Sequence, residues 1–201
     1  MTVGVSNIDV SSGGLIQESD DGYRRRILAA PEAFSSCGSI AAYDYHVRAV
    51  SQAVADVNVA TPKGGLVRIT VLAKDGVPDS RLLADIKAHV SAEKLRPLCD
   101  TVEVVGAIKR DYQINARLTL LDGHREDIVL TKAVDALQNY LSDKTKKLGM
   151  DIVPSAIISA LRVEGVYDVT LTSPAKTIIN NGEWANCTAI TITIDEVRSN
   201  G

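Results

Sequence analysis

Residues 112–120 restrict the possible folds of this chain more than any other stretch. Tyr112, Ile114, Ala116, Leu118 and Leu120 alternate strictly with Gln113, Asn115, Arg117 and Thr119. Successive side chains of a strand point to opposite faces, so this pattern buries one face and wets the other. Helical spacing follows. Residues 126–148 carry Leu130, Val134, Leu137 and Leu141 on one side, with Lys144, Lys146 and Lys147 in the last turn and Gly149 placed as a C′ residue.

Other elements are read in the same way. Ser19 looks like an N-cap, with Asp20 and Asp21 in a first turn where the helix dipole favours negative charge. Asp20–Arg24 and Asp21–Arg25 are then i,i+4 pairs, each contributing a few tenths of a kcal/mol. A second helix fits 39–54, with Ile40, Tyr43, Val47 and Val50 at helical spacing, and a third fits 79–90, with Leu82, Leu83, Ile86 and Val90 inward. Strands are expected at 57–60, 66–72 and 101–105. The first two form a hairpin through Thr61-Pro62-Lys63-Gly64-Gly65. Pro154 opens a short helix to about residue 162.

The segment Asp56-Val57-Asn58-Val59-Ala60-Thr61-Pro62 lines up with Asp168-Val169-Thr170-Leu171-Thr172-Ser173-Pro174. Each follows a helix and leads into a further alternating strand, 66–72 or 188–194. The expected fold class is α+β, built of repeated helix–β-hairpin (αββ) units with antiparallel sheets. Its parts are a flexible N-terminal tail (1–18), a first helical and hairpin unit (19–74), a central αββ unit (75–123) and C-terminal helices with a hairpin (124–201). A loop at 175–187 joins the last two strands and contains the single tryptophan, Trp184.

Composition narrows the function classes. Hydrophobic residues at 45 % and charged residues at 23 % exclude disordered, collagenous and disulfide-scaffold chains. Aromatics at 4 % leave an aliphatic core and argue against glycan- or base-stacking platforms. Net charge is −3, and the basic runs Arg24-Arg25-Arg26 and Lys144, Lys146, Lys147 are not interleaved with aromatics. Helix-end electrostatics accounts for the lysines. A solvated helix, or contact with an acidic partner surface, accounts for the arginines. No nucleic-acid partner is expected. The longest largely apolar stretch, 152–161, is short of the roughly 20 residues a membrane span needs, and no signal-peptide pattern occurs. A soluble chain made in a cytoplasm, without a membrane partner, is expected.

Chemistry-bearing residues are sparse. Cys37, Cys99 and Cys187 lie far apart without C-x-x-C spacing, and His46, His89 and His124 are isolated in sequence, so no metal site is expected. The Gly64-Gly65 loop runs into a strand, not a helix, which excludes a phosphate-binding loop. Asp44 and His46 do not face one another on a helix. Asp122, His124, Glu126 and Asp127 surround Gly123, but their spacing matches no calcium loop. No nucleophile elbow, zinc-protease helix or dinucleotide fingerprint is present. Catalytic, cofactor and metal residues are expected to be absent.

Five segments in order resemble one family. Glu18-Ser19-Asp20-Asp21-Gly22-Tyr23-Arg24-Arg25-Arg26-Ile27 comes first. Ala30-Pro31-Glu32-Ala33-Phe34-Ser35-Ser36-Cys37-Gly38 with Ala41-Ala42-Tyr43-Asp44-Tyr45-His46 follows. Val54-Ala55-Asp56-Val57 then leads to Val67-Arg68-Ile69-Thr70-Val71-Leu72. Leu95-Arg96-Pro97-Leu98-Cys99-Asp100-Thr101-Val102 and Arg162-Val163-Glu164-Gly165-Val166-Tyr167-Asp168-Val169 complete the set. Together they resemble the baseplate J-like proteins of contractile-tailed phages over about residues 15–195. Family members usually carry a further segment before the Glu-Ser-Asp helix, where this chain has a short Ser/Gly-rich stretch.

The resemblance implies a structural, non-enzymatic wedge subunit of a tail baseplate, assembled in the bacterial host cytoplasm. Its implied partners are copies of itself, as a dimer or ring, and other wedge and hub proteins, with no cofactor. Candidate interface residues are Arg24, Arg26 and Trp184, the last an interface anchor or a core residue. The alternative is a tail-associated carbohydrate-binding or adhesin module. A tail-tip hydrolase would need an acid–base pair that the sequence does not display.

Overall fold

The computed structural model describes residues 19–34, 39–92 and 101–195. Helix α1 (Asp20–Ala29) runs into a 3-10 turn (Ala30–Phe34), followed by α2 (Ile40–Val50), β1 (Val54–Lys63), β2 (Leu66–Ala73), α3 (Ser80–Val90) and β3 (Thr101–Gly106). Then come β4 (Ile108–Leu120), α4 (Glu126–Lys144), α5 (Pro154–Leu161), β5 (Val166–Ser173) and β6 (Glu183–Ile194). This is the α+β class that the patterning predicts. The helix starts are local chemistry: Ser19, Ser39 and Asp79 each accept a backbone N–H of their own first turn.

The strands form two three-stranded sheets, ordered β1-β2-β3 and β5-β4-β6. The β1–β2 hairpin is antiparallel as expected, closing at Gly64-Gly65 with Gly65 at φ +74°. The expectation of antiparallel hairpins throughout is corrected. β3 lies parallel to β2, because α3 carries the chain back along the sheet before the strand begins. β5 and β6 are not partners: β4 lies between them, antiparallel to β5 and parallel to β6. The loop between them is long because it crosses from one flank of β4 to the other. Of the two aligned segments, 56–62 and 168–174, each occupies an antiparallel edge strand. The strands that follow them differ, since β2 is central and β6 is an edge.

Each sheet has its own core. Ile114, Ala116, Leu118 and Leu120, the inward face of β4, are buried among Val129, Ala133, Leu137 and Leu141 of α4 and Ile157 and Leu161 of α5. Full burial of each large aliphatic side chain contributes about 1.5–3 kcal/mol. The buried stripe of α4 is rotated from the expected one: Leu130 and Val134 sit at its margin, and the small Ala133 lies on its axis. The other core joins Tyr43 and Val47 of α2 to Val67, Ile69 and Val71 of β2 and Ile86 and Val90 of α3. Ile40, expected inward, is exposed.

Two helices end earlier than their periodicity suggests. α2 stops at Val50, since Ser51 turns extended and Val54 opens β1. α4 stops at Lys144 instead of residue 148. Beyond it, tertiary partners replace the helical hydrogen bonds: the Leu148 N–H donates to Asp56 Oδ2 (2.9 Å) and the Gly149 N–H to the Glu183 carbonyl (3.0 Å). Gly149 keeps a left-handed φ of +65°, but in the turn that follows the helix.

Candidate protein interface

The three candidate residues fall in two places. Trp184 lies at the start of β6, not in the preceding loop, and it is 9 % exposed. Its ring packs with Leu72 and Ala107, with Ala55 and Leu148 at the margin, where the two sheets meet. The indole Nε1–H donates to the Thr145 carbonyl at 2.7 Å. Gly76, at φ +113°, passes beneath it so closely that a Cβ there would stand 3.2 Å from the ring. The side chain is held inside the chain, tying the end of α4 to both sheets.

Polar groups reinforce this junction. Arg48 Nη2 donates to Asp56 Oδ1 at 3.0 Å, Arg48 Nε to Asp44 Oδ1 at 2.9 Å, and Arg48 Nη1 to the Ala55 carbonyl at 3.0 Å. The other Asp56 oxygen receives the Leu148 N–H, so one carboxylate spans both halves. Beside Trp184, the buried Glu183 receives Arg110 Nε at 2.9 Å and the Asn180 backbone N–H at 3.0 Å. The Arg110 guanidinium, with the Asn180 N–H, holds the Glu183 carboxyl below the usual carboxylate range.

Arg24 and Arg26 lie on α1, which buries none of its residues. Arg24 Nη1 stands 3.5 Å from Asp21 Oδ1, one residue nearer than the expected Asp20 pair, and both side chains are largely exposed. Arg25 Nε donates to the Asp21 carbonyl instead of its carboxylate. The Arg26 guanidinium sits 5.2 Å from the centre of the Tyr23 ring. Around these charges Tyr23, Ile27 and Leu28 are exposed, as is Ile40 at the start of α2, with Leu28 at 80 %. Among the described residues, α1 thus presents both charged and apolar side chains at the surface. Its charge was legible in the sequence. Its exposed apolar neighbour Ile40 was not, because Ile40 is spaced like a core residue of α2.

The candidate chemical groups are engaged structurally. His124 Nδ1 approaches the Asp122 carbonyl, and Arg125 pairs with Asp127 at 2.6 Å. The His46 ring lies 5.6 Å from that of His89, and burial together with this neighbour pushes its pKa below the ordinary value. Among the described residues no cluster of three or more His, Cys, Asp or Glu is arranged to hold a metal, and no helix is long and apolar enough to cross a membrane. Cys187 is a free thiol; Cys37 and Cys99 lie outside the described residues.

The sequence matches the Baseplate J-like central domain over residues 35–106 and the Baseplate J-like protein C-terminal domain over residues 112–193. The chain belongs to the baseplate J-like family. The central-domain match contains α2 through β3, and the C-terminal match runs from within β4 into β6. Baseplate protein J of Escherichia phage P2 is 40 % identical over 176 residues, covering 86 % of this chain. The chain spans 58 % of that relative's length. A chain of the cryo-EM structure of the anti-feeding prophage (AFP) baseplate, 6-fold symmetrised, has a similar fold. The TM-score is 0.62 at 13 % identity, over 90 % of this chain and 43 % of that one.

Proposed function

We propose that this chain is a structural component of a tail baseplate wedge, holding neighbouring subunits around the tail hub. It acts without catalysis, cofactor, nucleic acid or membrane, and it is assembled in the host cytoplasm. The observation that carries this reading is the 40 % identity to a phage baseplate protein across most of the chain. The partners are other copies of the chain and further wedge and hub proteins. In this reading Arg24 and Arg26, with the apolar surface of α1, make the contact. Trp184 serves it indirectly by fixing the two halves relative to one another. A glycan-binding role gains no support, since the single Trp that would stack on a sugar is inside the chain.

An epitope tag on the protein, imaged by electron microscopy of isolated tails, tests the placement. Label is expected at the sheath-distal end, and label along the sheath or absent from tails would overturn it. Arg24→Glu with Arg26→Glu is expected to lower incorporation while the circular dichroism spectrum stays unchanged. Full incorporation of that variant would remove the arginines from the interface.

A further inference from the structure

Each three-stranded sheet has two flanks, so among the described residues β1, β3, β5 and β6 are edge strands. An open edge is a template for another strand, and folded proteins blunt it with charge, proline, bulges or brevity. Three of these edges are blunted. β1 carries Asp56 and Pro62 and two register shifts; β3 has six residues, including Glu103; β5 carries Asp168 and two register shifts. The second half of β6 is not. Thr188-Ala189-Ile190-Thr191-Ile192-Thr193-Ile194 has no charge, proline or glycine, and Ala189 to Ile194 run in unbroken register along β4. The side chains from Thr188 to Thr191 are exposed, and among the described residues no strand lies on the outer flank.

The backbone fixes which groups face outward. The Asp195 N–H donates to the Leu118 carbonyl of β4 at 2.8 Å. Backbone polar groups alternate sides along a strand, so Thr193 and Thr191 also turn toward β4. Ile190, Ile192 and Ile194 turn their N–H and C=O groups to the open flank.

We propose that this flank pairs with β6 of a second copy, antiparallel about a two-fold axis, joining two sheets into one. Pairing centred on Ile192 sets Ile190 of each copy opposite Ile194 of the other and uses every outward group, about six hydrogen bonds. A symmetric antiparallel register keeps odd residues opposite odd ones. Isoleucines therefore continue the apolar face, and Thr191 meets Thr193 on the wet face, both favourable cross-strand combinations. An uncharged segment also meets its own copy without repulsion, and a two-fold contact closes on itself. The assignment rests on the reading of the chain as a self-associating baseplate component.

The test is native mass by light scattering across a micromolar concentration series, with amide hydrogen exchange at Ile190 and Ile192. The wild type is expected to dimerise and to protect both amides as concentration rises. Thr191→Lys with Thr193→Lys, which sets lysines opposite one another, is expected to weaken the dimer at least tenfold. Ile190→Pro, which removes an outward N–H while sparing those facing β4, is expected to do the same. Circular dichroism establishes that each variant folds. A dimer of unchanged affinity in both variants would overturn the β6 assignment and leave self-association through another surface standing. A wild type monomeric throughout the series would overturn both. Protection of Ile190 and Ile192 only when a different baseplate protein is added would overturn the second copy as occupant.

Discussion

Trp184→Ala tests whether the two halves of the chain are held by one side chain. Removing a nearly fully buried indole costs about 3–5 kcal/mol in lost transfer energy and residual cavity. Trp184 is 9 % exposed and packs with Leu72 and Ala107, and a Cβ added at Gly76 would stand 3.2 Å from its ring. Losing the 2.7 Å hydrogen bond to the Thr145 carbonyl adds about 1 kcal/mol. The sum, about 4–6 kcal/mol, is a large share of the 5–15 kcal/mol typical of a folded domain. With a urea slope of about 2 kcal/mol/M, the midpoint falls by about 2–3 M. Unfolding should be followed by far-ultraviolet circular dichroism, because the substitution removes the single tryptophan that fluorescence would report. Trp184→Phe keeps most of the ring and loses the N–H, so it should cost about 1–2 kcal/mol. If the junction couples the halves, the alanine variant should also replace one transition by two. A midpoint within about 0.5 M of wild type, with unchanged slope, would refute the assignment of the junction to this ring.

Two further outcomes follow from the same region and from the histidine pair. Asp56→Ala removes the acceptor shared by Arg48 and the Leu148 N–H; about 2 kcal/mol is expected at this partly exposed site, and Asp56→Asn, which keeps an acceptor, should cost less in thermal unfolding. His46 has its pKa lowered in the fold by burial and by His89, so the unfolded chain binds the proton more readily. Stability is then full above the unfolded value near 6.5 and is lost as pH falls below it. His46→Gln should flatten the decline in melting temperature between pH 7.5 and about 5, and an unchanged slope would remove His46 as its source.

Much of the folding pattern was legible residue by residue. Alternation at 112–120 marked the inward face of β4, and Ser19 and Asp79 marked the starts of α1 and α3. These features depend on neighbours within a turn or a strand. The errors arose where the decisive partner is remote. The end of α4 depends on Asp56 and Glu183, which are nowhere near it in sequence. Ile40 has helical spacing, yet no element of the described chain covers it.

The candidate site divides in the same way. Arg24 and Arg26 were readable as charge on a solvated first helix, because helix-surface charge is a local property. The place of Trp184 was not, since its ring is enclosed by residues from β2, the turn after it and the end of α4. The sequence by itself determined where most helices and strands begin and which face of β4 is apolar, because side-chain period and capping act within a few residues. Only the tertiary structure decided that β4 separates β5 from β6, that Trp184 is enclosed and that no strand among the described residues lies on the outer flank of β6. Strand pairing couples residues tens of positions apart, and period-two alternation is the same whichever neighbour a strand takes.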